Sequence, residues 1–230
     1  MGTRRDKPLG ALLDVLVPER CAVCGRGEVL LCNACRTGLP AIAPPVCERC
    51  GAPTAWPVTR CAECAGRRLA FASARAALLY ERSTRALVGA WKERGSRRLT
   101  PVLAGIVTER VRRPEVDVLT FVPGDRDRTR RRGHNAPEAL ARELAEGWEL
   151  PLAPLLLRTA ATPRQAGLDR AARRSNVRGS FAAAGRVPRR VALVDDVFTT
   201  GATVGAAATE LRRAGARAVH VVALARALRR

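Results

Sequence analysis

The chain has 230 residues and a formal charge of +20, from 41 Lys and Arg against 21 Asp and Glu. Hydrophobic residues make up 47%, which excludes a disordered tail and allows a sizeable core. No apolar run approaches the roughly 18–20 residues of a membrane span. All the cationic side chains but Lys7 and Lys92 are arginine, a bias that a GC-rich genome also produces, so the charge alone says little about partners. The first segment, Leu9 to Val17 behind Arg4, Arg5 and Lys7, imitates a signal peptide. Asp14 interrupts it, however, and Pro18-Glu19-Arg20 is a poor cleavage site. An amino-terminal helix of a cytoplasmic protein is expected instead.

All eight cysteines follow in four C-x-x-C pairs: Cys21/Cys24, Cys32/Cys35, Cys47/Cys50 and Cys61/Cys64. This spacing lets two thiolates of one turn reach the same metal, and four complete a tetrahedral zinc shell. Disulfides would need an oxidising compartment, and a thioredoxin-type motif would be a single C-x-x-C. Cys21-Ala-Val-Cys24-Gly25 recurs as Cys47-Glu-Arg-Cys50-Gly51, each knuckle closed by a glycine that tolerates a positive φ. Two tandem structural zinc ribbons are expected, Cys21/Cys24/Cys32/Cys35 and Cys47/Cys50/Cys61/Cys64. Interleaving of the first and third pairs stays open. With few large apolar residues between the knuckles, metal must supply most of the folding energy here. Residues 1–66 carry eight basic and six acidic groups, whereas residues 67–230 carry 33 and 15, so the basic surface belongs to the second part.

That part reads as alternating strands and helices. Residues 74–80 suit a strand, and Ser83 or Thr84 is placed to cap a helix running to about Arg94, stopped by Gly95. A helix is predicted over roughly 99–112, from the spacing of Leu103, Ile106, Val107 and Val111. A buried strand follows from Asp117 to Val122, then a helix from Asn135 to Glu146. Residues 158–181 lack clear periodicity. Val191 to Val194 is a short buried strand, Thr203 to Ala214 a helix closed by Gly215, and Val219 to Leu224 a returning strand. The alternation argues an α/β domain with a mostly parallel sheet, whose ligand lies beyond the carboxyl ends of the strands.

Chemistry concentrates in residues 191–203. The strand delivers Asp195 and Asp196, and a small-residue loop (Thr199, Thr200, Gly201, Ala202, Thr203) opens into a helix. Exposed backbone N–H groups and the helix dipole favour a phosphate there, and threonine hydroxyls add donors. Two carboxylates just upstream suit the vicinal hydroxyls of a ribose. No lysine follows the glycine, so this is no Walker loop, nor is it a G-x-G-x-x-G fingerprint. The bland reading, a plain strand–loop–helix with incidental acids, fits this density of chemistry poorly.

Four apolar residues, two acids and a Thr- and Gly-rich loop resemble the 5-phosphoribosyl 1-diphosphate (PRPP) motif of type I phosphoribosyltransferases. Over residues 8–228 the chain resembles the ComF family of phosphoribosyltransferase-like proteins associated with DNA uptake in competent bacteria. The resemblance rests on the cysteine pairs, Lys92-x-x-Gly95, and Arg132-Gly133-His134-Asn135-Ala136 in place of the family's Arg-Gly-Phe-Asn-Gln. Gln165, Leu168, Arg173, Asn176, Val177 and Phe181 extend it. His134 and Ala136 depart from the pattern, so a substrate contact through that glutamine is not carried over.

The resemblance implies an α/β domain of the type I phosphoribosyltransferase fold over 67–230, behind a helix and double zinc ribbon over 1–66. It makes Asp195 and Asp196 the catalytic, ribose-binding acids, with Mg²⁺ bridging hydroxyls and diphosphate, and residues Thr199 to Thr203 the cradle of the 5-phosphate. Pro123, Gly124, Asp125 and Arg126 correspond to the loop that holds pyrophosphate. Arg128, Arg130, Arg131 and Arg132 would lie on a loop closing over the site, or form a solvated charge cluster; Lys92 is an anion contact or an exposed helix residue. The implied reaction displaces pyrophosphate at the anomeric carbon by an unidentified acceptor, which needs charge stabilisation and water exclusion more than a protein nucleophile.

His220 is expected to be a packed strand residue and His134 to line a loop. The alternative function is a non-catalytic PRPP- or single-stranded-DNA-binding protein, working with other DNA-uptake proteins. The charge of residues 67–230 favours polyanions, but single-strand platforms also stack bases on aromatics, and these are scarce here. Trp56 is expected at the surface, Trp91 and Trp148 in the core.

Overall fold

The structure is a computed structural model that describes residues 20–93, 95–125, 129–130, 133–159 and 179–228. The predicted amino-terminal helix, Arg126, Arg128, Arg131, Arg132 and the stretch from Gln165 to Val177 lie outside the described residues.

Apolar runs without alternation build a sheet covered on both faces. Its order is β1 (Ser73–Leu79), β6 (Ala218–Arg226), β5 (Arg190–Phe198), β2 (Val118–Phe121), all parallel. Successive residues of a strand serve opposite faces. Ala192, Val194, Val222 and Leu224 pack with Leu87, Trp91, Leu103, Ile106, Leu140 and Leu144. Those side chains come from α2 (Arg82–Lys92), α3 (Leu99–Arg110) and α4 (Ala136–Trp148). Val191, Leu193, Val219 and Val221 pack with Val204, Ala207 and Leu211 of α5 (Ala202–Arg213). A short antiparallel pair, β3 (Leu156–Arg158) with β4 (Phe181–Ala183), was not predicted; three residues per strand leave no period to read.

Several boundaries differ from the sequence expectation. Neither Ser83 nor Thr84 caps α2: Glu81 holds the N-cap position without a side-chain bond, and Thr84 is buried within the helix. Helix α4 runs on to Trp148 and ends at Glu149 with φ 51°. Most consequentially, β5 does not stop at Val194 but continues to Phe198, because pairing with β6 holds as far as Phe198 and Arg226. Trp91 and Trp148 are core residues and Trp56 is 68% exposed, as expected. His220 accepts or donates one bond, 2.9 Å to the Ser73 hydroxyl.

The cysteine-bearing segment, with its one short helix α1 (Asn33–Thr37), lies along the outer edge of β1. The N–H of Leu79 donates to Pro40 O (2.8 Å), that of Ile42 to Ala77 O (3.2 Å) and that of Ala74 to Arg49 O (3.0 Å). An edge strand otherwise leaves such groups unpaired and open to aggregation. Gly51 makes the approach possible: at φ +70° a Cβ would stand 2.3 Å from the Ala74 carbonyl oxygen.

Candidate functional site

The two cysteine groups form separately. Cys21, Cys24, Cys32 and Cys35 gather in one and Cys47, Cys50, Cys61 and Cys64 in the other, the ligand atoms of each within 4.8 Å of one another. This settles the tandem pairing over the interleaved one. The knuckles are alike: Gly25 N–H donates to Cys21 O and Gly51 N–H to Cys47 O, both at 2.8 Å. The Cys32 N–H meets Cys21 Sγ at 3.5 Å and the Cys61 N–H meets Cys47 Sγ at 3.3 Å. Burial works against the thiolate at Cys21 and Cys47, but backbone N–H donors outweigh it and hold both thiols at about 6. Hydrogen bonding to Cys32, with burial, pushes Cys35 up to about 12. Four sulfur ligands converge in each group, so both donor sets suit a closed structural zinc site.

The second candidate site lies where the parallel strands end. A cavity of about 430 Å³ is lined by Lys92, Asp125, Asp195, Asp196, Thr199 and Thr203, among others. Pro123 and Gly124 also line it, so the loop after β2 faces the loop after β5. Gly124 is confined: a Cβ would sit 2.5 Å from Thr129 Oγ1. Gly201 is the N-cap of α5 at φ 73°, and a Cβ there would lie 2.8 Å from the Phe198 ring. The Ala202 N–H donates to Thr200 Oγ1 at 3.3 Å. Arg130 is exposed.

β5 runs through Asp195 and Asp196, and both carboxyl groups line this one cavity. Asp196 follows Ala192 and Val194 toward α2, where Lys92 pairs with it. Lys92 thus pairs with one acid of the site while lining the cavity itself. Burial opposes the charge of Asp196, but the Lys92 ammonium outweighs it and holds the carboxyl below its ordinary range. Asp195, 7% exposed, receives the Asp196 N–H at 2.9 Å. Its burial, with the adjacent Asp196 charge, raises it well above the ordinary value.

A testable consequence concerns stability. The folded chain keeps the Asp195 proton to higher pH than the unfolded chain. Stability without ligand is therefore lost as pH climbs from about 3.8, the unperturbed carboxyl value, toward the raised one. Asp195→Asn, which copies the neutral carboxyl, is expected to melt higher than wild type at pH 7 without ligand and to lose this slope. Equal melting temperatures and equal slopes would disprove the raised titration.

Sequence reasoning missed three residues near this cavity. Arg158 and Arg85 line it; the first donates to Pro123 O at 3.1 Å and the second lies 5.4 Å over the Tyr80 ring. Arg67 donates to Thr200 O at 2.8 Å. The contacts of Arg158 and Arg67 join distant segments, and no spacing signals them. His134 lines the cavity, with its ring 6.5 Å from that of Trp91.

The chain is similar to several known proteins over part of its length. The family described as "Double zinc ribbon domain" matches residues 12–65. "Competence protein F" of Haemophilus influenzae is 39% identical over 102 residues, 42% of this chain and 44% of that protein. The chain thus spans less than half the length of this curated relative. Among solved structures, the glutamine PRPP amidotransferase from B. subtilis is 27% identical, covering 56% of this chain and 26% of its own, with a TM-score of 0.36. The adenine phosphoribosyltransferase from Thermoanaerobacter pseudethanolicus is 14% identical, covering 57% and 82%, also at 0.36. The chain therefore carries a double zinc ribbon domain, continues into a parallel α/β sheet, and is similar to competence protein F over somewhat less than half of either sequence.

Proposed function

We infer that residues 67–230 form a PRPP-binding domain that transfers a phosphoribosyl group to an acceptor, behind a structural ribbon domain over 1–66. One observation carries this reading: Asp195, Asp196, Lys92, Thr199 and Thr203 share one cavity with Pro123, Gly124 and Asp125. Thr199 and Thr203 with the start of α5 offer donors for the 5-phosphate, and the acids face the ribose hydroxyls. The two adjacent carboxyl groups on the cavity wall would hold a divalent cation together with the ribose hydroxyls. Mg²⁺ bound with the substrate would supply positive charge to the departing diphosphate. The acceptor atom bonds to the anomeric carbon as the carbon–oxygen bond to diphosphate breaks. Its electron pair leaves on pyrophosphate, and the acceptor gives up its proton. Enclosure from water and fixed dipoles assist the cation-like transition state. By likeness to competence protein F, a role in DNA uptake is part of the proposal.

A second reading, binding of single-stranded DNA without turnover, has its own observation. At the opposite, amino-terminal end of the strands, a cavity of about 590 Å³ is lined by Arg75, Arg110, Arg112, Arg113, Arg190 and His220, with Glu115 as its acid. Calorimetric titration of the purified chain with PRPP and Mg²⁺, then with single-stranded DNA at two salt concentrations, tests both. Saturable PRPP binding at one site per chain is expected. Absence of PRPP binding, with DNA binding that weakens steeply in salt, would overturn the first reading in favour of the second.

A further inference from the structure

We propose that the second zinc ribbon is a clamp on the loop from Phe198 to Thr203, with Arg226 and Arg67 as the positioning residues that tie the loop to the Cys47/Cys50/Cys61/Cys64 shell. Arg226 ends β6 and is 2% exposed. A buried cation is costly unless closely paired, and its partners come from the second ribbon. It donates to the Cys50 carbonyl at 2.6 Å and to the Glu63 carboxylate at 2.8 Å, and lies 3.6 Å from Cys50 Sγ. Glu63 stands between the ligands Cys61 and Cys64. A dication bound by four thiolates leaves that shell with net negative charge, so Arg226 is also its counter-cation.

From there two contacts reach the loop. The Arg226 guanidinium sits 4.8 Å over the Phe198 ring, and Gly201 folds back against that ring so closely that a Cβ would not fit. Arg67, bonded through its own N–H to Cys64 O at 3.2 Å, donates to the Thr200 carbonyl at 2.8 Å. A trans peptide then points the Gly201 N–H away from Arg67. A loop that binds phosphate through backbone N–H groups gains affinity when these are held before the ligand arrives. The first ribbon is fastened elsewhere: Arg36 pairs with Glu109 of α3, and Ala22, Val23 and Leu30 pack on the core beneath α2 and α3.

The phosphate ligand rests on the function proposed above, but the clamp itself does not, and the test separates the two. Zinc-loaded full-length Arg67→Ala, Arg226→Met, Arg67→Lys and Arg36→Ala are compared with wild type for zinc content, melting temperature, amide exchange of residues 198–203 and PRPP affinity. With both zinc ions retained, Arg67→Ala and Arg226→Met are expected to exchange loop amides at least tenfold faster and to bind PRPP about tenfold more weakly. Arg67→Lys, which can still donate to Thr200 O, is expected to recover much of both. Arg36→Ala is expected to leave the loop unchanged. Should Arg226→Met fail to fold, Arg67→Ala decides alone. Wild-type loop exchange in zinc-loaded Arg67→Ala overturns the clamp. If wild type binds no PRPP, the function proposal falls, and loop exchange still decides the clamp.

Discussion

Replacing Asp195 and Asp196 together by asparagine is expected to weaken PRPP·Mg²⁺ binding more than a hundredfold, from the loss of about 3 kcal/mol of charge-assisted contacts. The fold should survive for a reason visible at each position. Asparagine at 195 has nearly the shape of the carboxyl, and its carbonyl can still accept the Asp196 backbone N–H. At 196 the change strands the Lys92 ammonium, but the Lys92 side chain is 29% exposed and water can take up the charge. Calorimetry on a double variant with a wild-type circular dichroism spectrum is the measurement. Unchanged affinity would remove both acids from the site.

Removing zinc is expected to have the larger effect on stability. The apolar content of the second ribbon is Cys47, Cys50, Ala52 and Cys64, with Val58, Cys61 and Leu69 at its margin, far too little for an independent core. Structural zinc in small modules contributes about 10–16 kcal/mol, comparable with the total stability of an ordinary domain, roughly 5–15 kcal/mol. Elemental analysis is expected to find two zinc ions per chain. Chelation is expected to unfold the ribbons, withdraw Pro40, Ile42 and Arg49 from the edge of β1, and so produce aggregation as well as a lower melting temperature. Protein purified without zinc and with its cysteines oxidised in pairs would refute the ribbons.

The cysteine clusters were legible in the sequence because metal chelation by a turn is local: two residues between thiols and a glycine behind them specify the knuckle. The core strands and helices were legible because burial on a sheet or helix face imposes a period on the chain. The loop from Thr199 to Thr203 could be read for the same reason, its small residues and the following helix being contiguous. By itself, then, the amino-acid sequence determined the cysteine knuckles, the alternating α/β order and the place of the candidate phosphate loop, while the grouping of the knuckles came from the structure. Tertiary structure decided how these parts act on one another. Where β5 ends depends on its register with β6, which carries the strand past Asp195 and Asp196 to Phe198. Lys92 finds Asp196 across 104 positions, and Arg226 reaches Cys50 across 176. Electrostatic pairing of buried charges acts through space, and no interval along the chain encodes it.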